Sequence, residues 1–274
     1  MSETYIIVPC YNERERLDVA AFLDFAHSSS DMRLLFVDDG STDGTGELLH
    51  ALASESDGTV VVVRLGSNCG KGAAVRAGFL EAIERGAHVV GYMDADLATP
   101  LDEFERLLAL REEQQADVVM GSRVALLGHD IRRSLMRHYL GRLFATIASV
   151  ALGVGAYDTQ CGAKIFRVGP GFEQAISKPF RTRWVFDVEL LGRLIASEPT
   201  ARLVEEPLRR WSETSGSKLT FVHMLRASME VISLARRRSA LAEEVQLRPT
   251  GLGEIRGEPA QSLASKASAT EFMQ

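Results

Sequence analysis

The chain has 274 residues, 46% hydrophobic and 25% charged, the composition of a folded domain with a large core. Its 31 basic and 37 acidic side chains leave a formal charge of −6, which excludes the broad positive field of a general nucleic-acid binder. Cys10, Cys69 and Cys161 are odd in number and form no CxxC pair, so neither a disulfide framework nor a zinc site is expected, and a reducing compartment is.

The chain opens with the charged Glu3 and then YIIVP, a strand pattern rather than a signal peptide. The longest apolar run, FATIASVALGVGAY at 144–157, is shorter than the roughly 20 residues a bilayer span needs. The expectation is a cytoplasmic protein, with peripheral contact at the cytoplasmic membrane face left open. YIIVP (5–9), LLFVDD (34–39), VVVVRL (60–65), HVVGYMD (88–94) and ADVVMGS (116–122) read as strands. Their unbroken apolar character suits parallel strands covered on both faces. Amphipathic stretches near 14–28, 43–55, 72–85 and 101–115 alternate with them, the last announced by Pro100. This alternation predicts an open α/β sheet whose ligands sit at the carboxyl ends of the strands.

Beyond residue 125 the pattern changes. It predicts a basic amphipathic helix over 131–152, a strand at AKIFR (163–167) and a helix near 187–197. A strand pair around 204–211, interrupted by Pro207, and a last helix over 219–238 follow. Both long helices place Arg beside Leu, Phe and Ile, a pattern shared by membrane-surface helices and by helices packed on a sheet. From Pro249 onward the chain lacks apolar periodicity and is expected to be disordered. The expected organisation is one domain over 1–248, in two stretches of different pattern (1–125 and 126–248), and a tail (249–274).

Three stretches carry chemistry-bearing side chains at strand ends. In VDDGSTDGT (37–45), Ser41, Thr42 or Asp43 can cap the following helix, while Asp38 and Asp39 exceed what capping requires. SNCGKGAAVRAG (67–78) lacks the spacing of a Walker loop and of GxGxxG, yet puts Lys71 and Arg76 at a helix start where a diphosphate is attracted. In MDADLAT (93–99), Asp94 and Asp96 stand one residue apart. Like charges this close call for a cation, and Mg²⁺ or Mn²⁺ takes one or two carboxylates together with phosphates. Two other readings stay open there: a helix-capping Asp96, and a haloacid-dehalogenase-like phosphatase nucleophile, against which Ala98 stands where Thr or Val belongs.

VPCYNE, DDGSTD, NCGKGAAVRAG and MDADLAT, followed by DTQCGAKIF, RWVFDVELL and WSETSGSK, together resemble glycosyltransferase family 2 over about residues 5–225. The last three resemble its dolichyl-phosphate β-glucosyltransferase branch. The resemblance implies a GT-A fold, with a Rossmann-like half on a mostly parallel sheet and acceptor-side helices after it. It further implies a UDP-sugar donor, a divalent metal (Mg²⁺ or Mn²⁺) and inversion at the anomeric carbon. Carried over, Pro9, Tyr11, Glu13, Val37 and Asp39 hold uridine, with Asp39 facing uracil, and Asn12 and Lys71 join the nucleotide-sugar set. Asp94, Ala95 and Asp96 meet ribose, diphosphate and metal, with Asp96 the first choice as metal ligand and Asp94 the second. Arg123 and Lys218 address phosphates. Ala98 and Ser212 stand where the mannose-transferring branch carries Gln and Arg, which turns the donor from GDP-mannose toward UDP-glucose.

The acceptor decides the mechanism. A polyprenyl or dolichyl phosphate is already an anionic nucleophile near neutral pH, its second pKa lying at about 6. A saccharide or other hydroxyl needs a carboxylate base, and Asp187 is the first candidate, Glu189 the second. A non-catalytic UDP-sugar-binding protein is the remaining alternative, and a homodimer is left open.

Overall fold

The computed structural model describes residues 3–29, 32–132, 135–182, 185–212 and 230, with 135–140, 143 and 151 described by backbone alone. Lys218, all but residue 230 of the helix expected over 219–238, and the tail from 249 lie outside these residues.

Strand and helix alternate through the first half: β1 (Thr4–Cys10), α1 (Val19–Ser28), β2 (Met32–Asp38), α2 (Thr45–Glu55), β3 (Val60–Arg64), α3 (Lys71–Glu84), β4 (Val89–Tyr92), α4 (Leu101–Gln114) and β5 (Val118–Ser122). The second half adds β6 (Asp130–Arg132), α5 (Leu135–Leu152), β7 (Lys164–Arg167), α6 (Pro170–Ile176), α7 (Phe186–Ser197), β8 (Leu203–Pro207) and β9 (Arg210–Ser212). One seven-stranded sheet has the order β3-β2-β1-β4-β7-β5-β8, parallel except for β7, which runs against both β4 and β5. Residues from both sides of position 125 therefore build a single sheet.

The period of two along each strand splits the core into two layers. Ile7, Leu35, Val37, Val90, Tyr92, Val118 and Phe166 face α3, α5, α6 and α7. Ile6, Val8, Leu34, Phe36, Val89, Val119 and Ile165 face α1, α2 and α4. Burial on both faces is why these strands read as continuous apolar runs. On the first face Phe79 meets Tyr92, Phe166 and Phe172 edge-on, at centroid distances of 6.2, 5.8 and 5.2 Å.

Four local expectations change. Residues 130–132 are a strand, so the helix expected from Ile131 starts at Leu135. The pair expected around 204–211 is no hairpin: β8 closes the main sheet, while β9 pairs in parallel with β6 in a separate two-stranded sheet. Pro207 is tolerated as the last residue of a terminal strand, where its missing N–H costs little. The seven-residue α6, with Pro170 at its first position, is too short to show a helical period.

Candidate active site

The carboxyl ends of β1, β2 and β4 point the same way and gather the residues singled out from sequence. Beyond β1, Tyr11 is 45% exposed and Asn12 takes a positive φ of 54°. The Asn12 amide oxygen accepts from the Thr42 N–H (3.0 Å), and the Asn12 N–H donates to Ser41 Oγ (3.0 Å). Glu13 donates its N–H to Thr45 Oγ1 (2.9 Å) and pairs through Oε1 with Arg16 (2.6 Å), while its Oε2 is buried without a hydrogen bond. Burial, only partly offset by Arg16, raises the Glu13 carboxyl above its ordinary value.

Past β2, Asp38 and Asp39 are both buried. Asp38 Oδ1 accepts from the Ser41 N–H (2.8 Å), and its Oδ2 lies 3.4 Å from Arg64. Asp39 ties down the loop before α3 by accepting the Cys69 N–H (2.7 Å) and the Gly70 N–H (2.8 Å). Asp43 accepts from Thr45 N–H and hydroxyl and from the Arg14 N–H, which is a helix-start role. Val37 and Ala95 are buried in the two core layers, so any ligand contact they make goes through the backbone.

At the end of β4, Tyr92 and Asp94 share the face that α3 and α7 cover. Lys71, the first residue of α3, reaches across to Asp94 Oδ1 in a short ion pair. Burial acts to raise the Asp94 carboxyl, but Lys71, Arg123 and Lys164 outweigh it and hold it below the usual range. Burial likewise acts to lower the Lys71 ammonium, and Asp94, Asp187 and Asp96 outweigh it, leaving it raised. Asp96 Oδ1 accepts from the Ala98 N–H at 3.1 Å, at the turn where Leu97 takes a φ of 51°. Among the described residues no group of three or more His, Cys, Asp or Glu side chains could enclose a metal. Asp94 and Asp96 instead fit a hard cation that completes its shell with phosphates and water.

Beneath Asp94 lies a buried set in which Asp187, named from the sequence, meets Lys164 and Tyr92, which sequence reasoning missed. The Lys164 ammonium, with no exposed surface, donates to Tyr92 Oη (2.9 Å) and to the Cys161 carbonyl (2.6 Å), and lies 3.5 Å from Asp187 Oδ1. Tyr92 in turn donates to Asp187 Oδ1 in a short hydrogen bond. Burial pushes the Asp187 carboxyl up to about 7 and the Lys164 ammonium down to about 8. The available signal was a lysine set directly before the apolar Ile165 and Phe166 in the AKIFR strand.

Arg123, just past β5, forms a two-pronged pair with Asp158 (2.6 and 2.8 Å) and stacks over Trp211 at 5.4 Å. Despite burial, the guanidinium holds the Asp158 carboxyl down at about 2. Glu205 fixes the same turn by accepting the Tyr157 and Asp158 N–H groups, each at 2.7 Å. A cleft of about 350 Å³ opens here, with Arg123 and Arg142 supplying cations and Val124, Phe144, Ala145 and Tyr157 its apolar wall. Arg142 stacks on Tyr157 at 4.9 Å.

Two candidates suggested by the sequence have structural roles instead. Arg76 donates to the carbonyls of Ile176 (2.6 Å) and Ser177 (2.8 Å), capping α6 rather than facing a diphosphate. Glu189 is buried and accepts from Arg181 N–H, Thr182 N–H and hydroxyl, and Arg193 (2.6 Å), which leaves it no capacity to act as a base.

The family description "Glycosyl transferase family 2" matches residues 5–170. The chain belongs to glycosyltransferase family 2. It is therefore a transferase, and the phosphatase reading of MDADLAT falls. A dolichyl-phosphate β-glucosyltransferase of Trichomonas vaginalis is 32% identical over 249 residues, covering 85% of this chain and 72% of that protein. A polyprenol monophosphomannose synthase of Mycolicibacterium smegmatis is 37% identical over 164 residues, covering 60% of this chain and 61% of that one. Among solved structures, glucosyl-3-phosphoglycerate synthase of Mycobacterium tuberculosis, crystallised with Mn²⁺, UDP and phosphoglyceric acid, superposes with a TM-score of 0.60. At 17% identity over 92% of this chain and 82% of that one, it shows the shared GT-A fold. The dolichyl-phosphate branch of family 2 thus aligns along most of the chain, as the sequence motifs implied.

Proposed function

We propose that this glycosyltransferase moves glucose from UDP-glucose to a polyprenyl or dolichyl phosphate, with inversion. The observation that carries the reading is the cleft past β5: Arg123, paired with Asp158, and Arg142 among its lining residues suit a phosphate, and its apolar wall suits the first isoprene units. The β-glucosyltransferase likeness over 85% of the chain supports the same donor and acceptor.

Tyr11, Asn12, Glu13, Pro9, Asp39 and the Val37 backbone form the uridine side of the site. Asp94, Ala95 and Asp96 meet the diphosphate, and Asp96 with Asp94 would hold Mg²⁺ or Mn²⁺. When bound, that cation would offset charge growing on the departing UDP. Lys71 supplies a further positive charge at the same place, and Arg123, with Lys218 from outside the described residues, orients phosphate. The acceptor phosphate attacks from the face opposite the leaving UDP. Being an anion already, it needs no base. The loop between β5 and β6 carries Leu126 and the fully exposed Leu127 just after the cleft-lining Val124 and Ala125, and would touch the membrane that holds the lipid.

A second reading has its own observation. An Asp187 carboxyl raised to about 7 matches the profile of a general base working on a hydroxyl acceptor. The deciding experiment is UDP release from UDP-glucose with Mn²⁺ or Mg²⁺, with and without a short polyprenyl phosphate. Lipid-stimulated release that disappears in Asp96→Ala and survives in Asp187→Asn, lowered but not abolished, supports the phosphate acceptor. Metal-dependent release that ignores the lipid sinks it, and loss in Asp187→Asn then points to a hydroxyl acceptor.

A further inference from the structure

A lysine ammonium wholly out of water is costly to keep. Replacing a buried ion pair with packed apolar side chains is often neutral or stabilising, so stability alone does not explain Lys164. Its surroundings suggest what it does. In β7 it lies directly opposite Tyr92 of β4, and that register aims both side chains at the face covered by α7. Its Nζ holds three separate pieces of the site. It donates to Tyr92 Oη, which donates to Asp187. It approaches Asp187 Oδ1 directly at 3.5 Å. It also donates to the Cys161 carbonyl, anchoring the turn from Asp158 to Gly162.

That turn bears on both candidate substrate positions. At one end Asp158 clamps Arg123 beside the acceptor cleft. At the other, Gly162 is packed so closely on the Asp94 carboxylate that a Cβ would overlap it. The Tyr92 ring lies between the two lysines, 5.3 Å from Lys164 Nζ and 5.9 Å from Lys71 Nζ.

We propose that Lys164 is a positioning residue for the transfer reaction, acting through Tyr92 to hold Asp187 and through the Cys161 carbonyl to set the turn that flanks Asp94 and Arg123. It touches neither donor nor acceptor. The burial that brings Asp187 and Lys164 near neutrality fits a pair kept for geometry within a dry pocket. The inference rests on the end of β4 being the transfer site.

The test compares Lys164→Met, Tyr92→Phe and Arg167→Gln. Arg167 lies at the far end of β7, paired with Asp117 and Glu198, and calibrates the loss of an ion pair on the same strand. Lys164→Met is expected to lower kcat by about 10- to 100-fold while UDP affinity and donor KM stay within about threefold. Tyr92→Phe should fall the same way to a smaller extent, and Arg167→Gln should lower only the melting temperature. Combined with Asp187→Asn, Lys164→Met should cost less than the product of the two single losses, because both act on one unit. Unchanged kcat in a folded Lys164→Met, or fully multiplicative losses with Asp187→Asn, would overturn the proposal. If Lys164→Met does not fold, Tyr92→Phe with full kcat overturns it alone. Failure of the underlying site reading has a different signature: Asp96→Ala keeping wild-type turnover.

Discussion

Gly162 shows how little room surrounds Asp94. A methyl group there would occupy space the carboxylate holds, and Asp94 is the more movable of the two. Gly162→Ala is expected to lower turnover by about 10- to 100-fold through a displaced Asp94, with a melting temperature close to wild type. Normal turnover would show that the carboxylate position is not critical. Asp158 offers a pH test. Its carboxyl sits at about 2 in the folded protein against an ordinary 3.8, so the folded state favours the ionised form. The gain, about 2 kcal/mol, is fully present above about pH 4 and is lost as pH falls toward 2. Unfolding free energies of wild type and Asp158→Asn should therefore differ most near pH 6 and converge below pH 3. A constant difference would refute the assignment. Of these residues the sequence displayed Asp94 and Asp96 clearly, because they follow an apolar strand, while Arg123 came only through the family resemblance. Lys164 and Tyr92 were hidden inside strands, where pattern reading assigns side chains to the core.

The helix α7 separates two carboxylates that sequence reasoning treated as rivals. Asp187 and Glu189 both lie in its first turn, two positions apart, so they point in different directions. Asp187 meets Tyr92 and Lys164, while Glu189 holds the 181–182 backbone and Arg193. Glu189→Gln is thus expected to destabilise the fold by about 3–5 kcal/mol, since it leaves Arg193 buried without its charge partner. Asp187→Asn should leave the melting temperature within a few degrees of wild type. Denaturant unfolding of the two variants checks this, and a stable Glu189→Gln would reopen its candidacy as base. Elements with strong periodicity were legible: β1 to β5 and the helices between them fall where alternation and Pro100 placed them. The short ones were not. β6 and β9 are three residues each and exist because they pair with one another across 80 positions of sequence, a contact no local pattern encodes.

At the scale of the molecule, the proposed donor and acceptor sides meet because β7 runs backward between β4 and β5. This insertion carries Lys164 and the turn before it to the ends of the parallel strands, joining the Asp94 site to the Arg123 cleft. The proposed lipid acceptor would reach that cleft from a bilayer, and no helix among the described residues is long and apolar enough to cross one. Of the described apolar residues of α5, Phe144, Ala145 and Ala148 are buried against the sheet, while Val150 is exposed. Among the described residues the β5–β6 loop offers another contact: its Leu127 is entirely exposed, and its Val124 and Ala125 line the cleft. Sinking one leucine into an apolar phase is worth about 1.5–3 kcal/mol, or roughly tenfold or more in partition. Leu127→Asp is expected to reduce sedimentation with anionic lipid vesicles by about that factor. It should also slow transfer to a long-chain polyprenyl phosphate in vesicles, while transfer to a short, water-soluble analogue stays at the wild-type rate, because the loop serves delivery rather than chemistry. Equal losses on both acceptors would place Leu127 in the cleft's own packing, and unchanged vesicle binding would remove this loop from the membrane contact.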